Sequence, residues 1–132
     1  MIWTLDIKLI RGRWATGDWS ATIAIDAAAT LDDLHLFIQR TLDFDNDHLS
    51  DFFVARTPTS AKRTRCRFDA TLEDLFPLPK GHKLFYLFDY GDNWLFQIGR
   101  TRKKPFEPEP DSEYLRLISE QGEKPRQYPA FD

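Results

Sequence analysis

Asp89 and Asp92 flank Gly91 in the run FDYGDNW, which puts two carboxylates at what reads as the tip of a hairpin. Carboxylates held that close could share a metal ion or act as an acid and base pair. The same residue types also accept hydrogen bonds from nearby backbone N–H groups, which is why they favour turns, and we read the tip first as a turn. Asp43, Asp45 and Asp47 have the alternate spacing of the first three ligands of a calcium loop. The sixth loop position is His48 instead of Gly and the twelfth is Val54 instead of Glu, so the sharp turn and the bidentate ligand are both missing.

No pair among His35, His48 and His82 has the i, i+4 spacing of a helical metal site. His35 lies on the rim of an apolar helical stripe beside Leu31 and Leu42, where a packed histidine finds a hydrogen-bond partner. Cys66 has no neighbouring Cys or His, so nothing points to an activated thiol. There is no G-x-S-x-G, P-loop or G-x-G-x-x-G. The residues therefore assign no catalytic, cofactor or metal site. The enzymatic alternative is a metal-assisted hydrolase built on Asp89, Asp92 and His48.

Two kinds of surface remain. Lys62, Arg63, Arg65 and Arg67 form one basic cluster and Arg100, Arg102, Lys103 and Lys104 another. On a shared face they would track phosphates, with Phe106 available for stacking; apart, they are a solvated strand edge and a solubilising tail. Leu36 and Phe37 on the outside of the helix, with Asp89, Asp92 and Trp94 of the hairpin, make a candidate protein-binding surface. This interaction role is the first reading, and nucleic-acid binding is its alternative. The tail Lys124-Pro125-Arg126-Gln127-Tyr128-Pro129 is either a recognition segment or an arm packing Tyr128 and Phe131 on the domain.

The chain has 132 residues, enough for one core without disulfides or metal staples. With 14% aromatic residues it reads as globular, and its net charge of −3 gives no global attraction to polyanions or anionic membranes. A single cysteine excludes an internal disulfide and suggests a reducing compartment. Met1 leads directly into an alternating pattern, and no stretch is apolar enough for a membrane helix, so the expected location is cytoplasmic with no membrane partner.

The elements follow from periodicity. Trp3, Leu5, Ile7 and Leu9 alternate as one strand and Trp19, Ala21, Ile23 and Ile25 as a second, antiparallel to it. Thr30 with Asp33 caps a helix whose stripe is Leu31, Leu34, Ile38 and Leu42. Leu49 to Ala55 is a third strand, and Arg63 to Phe68 a charged edge strand. Thr71 caps a short turn that Pro77 ends. Leu84 to Phe88, apolar throughout, reads as a strand buried on both faces, and a hairpin returns through Trp94, Phe96 and Ile98.

The expected fold is α+β, a β-grasp or ubiquitin-like mixed sheet with one main helix on one face and a C-terminal extension. In it the first strand and Leu84 to Phe88 lie side by side and parallel. The rival is a ferredoxin-like split βαβ unit. Residues 1–100 form the single domain and 101–132 a Pro- and charge-rich arm, with a short helix from Asp111 to about Glu120, packing on the same domain.

TLDDLHLFIQRTLDFDNDHLSDF at Thr30 to Phe52, YLFDYGDNW at Tyr86 to Trp94, and YLRLISEQGEKPRQYP at Tyr114 to Pro129 together resemble the plasmid pRi open-reading-frame-three-like family, often labelled transposon passenger proteins. The resemblance implies an α+β domain found near mobile elements, with no established activity. This chain departs from the family pattern at Phe96, where a His is common, and in lacking the usual Pro-Pro-Glu-Asp-Cys-Gly-Gly ending.

Overall fold

The computed structural model describes residues 1–128. Within them the strands are β1 (Ile2–Arg11), β2 (Trp19–Asp26), β3 (Ser50–Ala55), β4 (Thr64–Cys66), β5 (Lys83–Phe88), β6 (Trp94–Arg100) and β7 (Arg116–Gly122). The helices are α1 (Leu31–Thr41) and the single turn α2 (Leu72–Leu75). The strands form one sheet in the order β4-β3-β5-β6-β1-β2-β7, and every neighbouring pair is antiparallel.

Period-two alternation sets the main face. Leu5, Ile7 and Leu9 of β1, Trp19, Ile23 and Ile25 of β2, and Phe96 and Ile98 of β6 enter one core cluster with Leu31, Leu34 and Ile38 of α1. The helix starts where its cap dictates. The Thr30 hydroxyl accepts from Asp33 N–H at 3.1 Å and the Asp33 carboxylate accepts from Thr30 N–H at 3.0 Å, a closed capping box. β5 is interior, between β3 and β6. Leu84, Tyr86 and Phe88 join the main core, while Phe85 packs with Phe53, Ala55 and Leu95 in a smaller cluster of their own.

The β-grasp expectation is overturned. β1 and β5 do run in the same direction, but β6 lies between them and pairs antiparallel with both. The tight hairpin after Phe88 places β6, not β5, against β1, so the central parallel pair that defines a grasp never forms. The ferredoxin-like rival fails as well, since the sheet has seven strands and α2 is four residues long.

The short helix expected from Asp111 is also absent: Arg116–Gly122 is β7, an outer strand paired with β2. Its register shifts by one residue between Thr22 and Ile23, so Ile118 is an extra residue in a bulge.

Candidate nucleic-acid interface

Antiparallel register decides which strand ends lie together. Ile98 pairs with Leu84, Leu84 with Val54, and Val54 with Thr64, a single row crossing β6, β5, β3 and β4. Just beyond that row β6 ends at Arg100, β5 begins at Lys83, β3 runs into Arg56, and Arg63 leads into β4. At roughly 4.8 Å per strand, these four positions span about 15 Å of one sheet end. Residues 101–106 continue along the start of β1 at the same end: Thr101 N–H donates to Thr4 C=O at 3.0 Å, and Phe106 and Ile2 exchange backbone bonds at 2.7 and 3.1 Å.

Among the described residues, Arg56, Lys62, Arg63, Lys80, Lys83, Arg100, Arg102, Lys103 and Lys104 make no ion pair. Several are positioned by aromatic rings and backbone carbonyls instead. The Arg63 guanidinium lies 4.0 Å from the Phe53 ring centroid and donates to the Ser60 and Pro58 carbonyls, each at 3.2 Å. Arg100 lies 3.8 Å from the Trp3 ring and Lys103 4.9 Å from Phe106. A ring orients a cation without cancelling its charge.

The first basic cluster is thus divided. Arg65 donates to Asp51 at 2.8 Å and reaches toward the Tyr90 hydroxyl at 3.4 Å. Arg67 grips Asp69 through two nitrogens at 2.9 and 3.0 Å. These hydrogen bonds, with the adjoining carboxylates, raise both guanidinium pKa values further and bring Asp69 below its ordinary range. In exchange the fold adds Arg56 and Lys83, which sequence reasoning missed because each is an isolated cation flanking a strand, and only register shows that they meet.

At the opposite end, Asp89 is buried in the left-handed region (φ 59°), and its Oδ1 accepts from the N–H groups of Gly91 at 3.1 Å and Asp92 at 3.2 Å. The Asp92 carboxylate turns instead toward Arg13, 3.7 Å away. His48 Nε2 lies 3.5 Å from Asp89 and 3.7 Å from Asp47. It also bonds the Tyr128 hydroxyl at 2.8 Å, and that hydroxyl donates to Asp47 at 2.9 Å. Gln127, buried, accepts from Asp45 N–H at 2.6 Å and donates to Asp47 at 2.7 Å. Desolvation pushes the Asp47 carboxyl upward, but the bonds from Tyr128 and Gln127 leave it below its ordinary value. The bond to Asp47 drives the Tyr128 phenol up to about 12.

These carboxylates therefore fasten a turn and the C-terminal arm. Among the described residues no group of three or more His, Cys, Asp or Glu side chains is arranged to hold a metal ion. Tyr128 packs on the 45–48 loop, while Pro129 and Phe131 lie outside the described residues.

Trp94 is fully buried with its ring centroid 5.3 Å from that of Phe44, so it presents no surface to a partner. Phe37 is half-buried against the main core. Leu36 is 43% exposed and lines a groove of about 950 Å³ between α1 and residues 112–115. His35 is buried and shares a hydrogen bond with Tyr86, to which Gln39 also donates at 2.9 Å. Burial lowers the His35 pKa, against the pull of Asp32, and raises that of Tyr86.

The chain is a strand-rich domain whose β5–β6 hairpin turns at Gly91-Asp92-Asn93-Trp94 and whose C-terminal arm returns to the sheet as β7. The chain belongs to the plasmid pRiA4b ORF-3-like protein family, whose model matches residues 19–127. It is similar in fold to the crystal structure of a protein of unknown function, MM3350 from Methanosarcina mazei Go1, with a TM-score of 0.71 and 21% identity over 90% of this chain and 68% of that one. No curated protein matches it. Among the described residues no helix is long and apolar enough to cross a membrane.

Proposed function

We propose that this protein binds nucleic acid through the phosphate backbone, using the basic end of its sheet. The observation that carries the reading is the register row Ile98, Leu84, Val54, Thr64, beyond which Arg100, Lys83, Arg56 and Arg63 gather without carboxylate partners. Cations held in this way release condensed counterions when they meet phosphates, so binding must weaken steeply with salt. The test is a titration of mixed-sequence oligonucleotides at low and at physiological ionic strength. Binding lost in the Lys83→Glu, Arg100→Glu double variant supports the reading, and unchanged affinity refutes it.

A second reading rests on the groove beside α1. There exposed Leu36 lies with Phe44 and Leu115 between Asp33 and Arg40, an apolar floor between opposite charges suited to a short amphipathic protein segment. Enrichment of a partner from source lysate that disappears in Leu36→Asp would favour it. Equal recovery by the variant would remove it.

A further inference from the structure

Resting on the nucleic-acid reading, we infer that the ligand is a single strand and that it runs from the basic end across the sheet face on which no helix packs. Leu31, Leu34 and Ile38 of α1 and Leu72 of α2 enter the main core. The opposite face holds the smaller cluster Phe53, Ala55, Phe85 and Leu95, to which neither helix contributes. Register places four cations on that open face. Lys83 lies opposite Ala55 and Arg11 opposite Leu95, while Lys8 lies opposite Gln97, which in turn faces Phe85. Arg63 covers the Phe53 ring from the β4 side at 4.0 Å. Among the described residues none of these four cations makes an ion pair. Arg100, opposite Leu5, belongs to the helix-bearing face and meets the ligand only at the rim.

The carboxylates of the open face do not close this path. Asp51, opposite Leu87, is held by Arg65 at 2.8 Å, so the two cancel. Asp6, opposite Gly99, accepts from the Thr22 hydroxyl at 2.8 Å and has no cation partner, so it repels a phosphate beside Lys8. The helix layer carries Asp32, Asp33, Glu73 and Asp74 in the first turns of α1 and α2, and a polyanion is drawn away from it. At the far end of β5, Tyr90 is 48% exposed, and its hydroxyl lies 3.4 Å from a guanidinium nitrogen of Arg65. Arg65 pairs with Phe53 and so belongs to the open face, which sets the Tyr90 ring beside it. Cations that track phosphates and a ring free to stack a base are the elements of single-strand binding. The bases of a duplex are stacked on one another and leave that ring unused.

The experiment is a fluorescence anisotropy titration of a short mixed-sequence oligonucleotide, alone and annealed to its complement, over a series of salt concentrations. The variants are Lys8→Gln, Asp6→Asn and Tyr90→Leu on the open face, with Arg40→Gln on α1 as the control for net charge. Asp6→Asn keeps the oxygen that Thr22 bonds, and thermal unfolding of each variant confirms the fold. Lys8→Gln should lower the magnitude of the logarithmic salt slope by about 1, whereas Arg40→Gln leaves it unchanged. Asp6→Asn should tighten binding by about threefold at low salt, the effect of removing one like charge near a phosphate in water. The wild type should prefer the single strand by about tenfold, the size of one stacked base, and Tyr90→Leu should abolish that preference. A Lys8→Gln effect no larger than that of Arg40→Gln, or equal affinity of the wild type for both forms, overturns the inference and leaves the basic end standing. Binding of neither form by the wild type at low salt refutes the nucleic-acid reading beneath it.

Discussion

Tyr86 of β5 and His35 of α1, 51 residues apart in the chain, share a buried hydrogen bond that ties the helix to an interior strand. Gln39, one turn further along α1, donates to the same phenol oxygen at 2.9 Å, leaving the phenol proton for His35 Nδ1. Removing the hydroxyl strands two polar groups in the core. Tyr86→Phe should therefore lose about 1–3 kcal/mol of stability. Urea unfolding checks this, with a lower midpoint at unchanged slope.

The same pair makes stability depend on pH. Burial holds the folded His35 pKa below its ordinary 6.5, while the unfolded chain keeps that value. Between the two the unfolded chain binds more protons, so the contribution is complete above the unfolded pKa. It is lost as pH falls toward the depressed folded value. Unfolding free energies measured between about pH 5 and pH 8 should fall toward acid in the wild type and fall less in His35→Gln.

The divided basic cluster gives a contrast within one protein. Neutralising each pair as a whole, Arg65→Gln with Asp51→Asn and Arg67→Gln with Asp69→Asn, should leave oligonucleotide affinity nearly unchanged, because each pair is already neutral. Reversal at Arg63 and Arg100 should weaken it across all sequences. Removing each contacting cation should also lower the magnitude of the logarithmic salt slope by about 1.

Gly122 ends β7 with φ 83°, and a Cβ there would stand 1.9 Å from the Asp18 carbonyl oxygen. Gly122→Ala should push the end of β7 away from β2 at a cost of about 1–3 kcal/mol. Amide exchange across Arg116–Gly122 should accelerate more than exchange in β5.

Local signals in the sequence were faithful where chemistry is local. Thr30 and Asp33 form the capping box their spacing implies, and the alternation of Trp3 to Leu9 and Trp19 to Ile25 becomes β1 and β2. Strand order is another matter. The apolar run Leu84 to Phe88 is consistent with any interior strand, and nothing in it distinguishes a neighbour at β1 from one at β3. The arm misled for a related reason: Asp111 looks like a cap, yet Leu117 to Gln121 finds a better use for its backbone groups along β2. The site inherited that difficulty. Arg63 and Arg100 were visible as members of runs, whereas Lys83 and Arg56 acquire their meaning only from the row that joins them.

Strand register separates several of the charges by sheet end. Lys83, Arg100 and Arg63 crowd one pole, and Asp45, Asp47 and Asp89 collect at the other, although the net charge is only −3. In dilute salt the basic pole of one copy attracts the acidic pole of the next. That contact is head to tail, and the rotation between successive copies decides whether it closes into a ring or extends into an open chain. Electrolyte screens it over about 10 Å at 0.1 M. Solubility should accordingly rise with the first additions of salt, and the protein should salt in before it salts out.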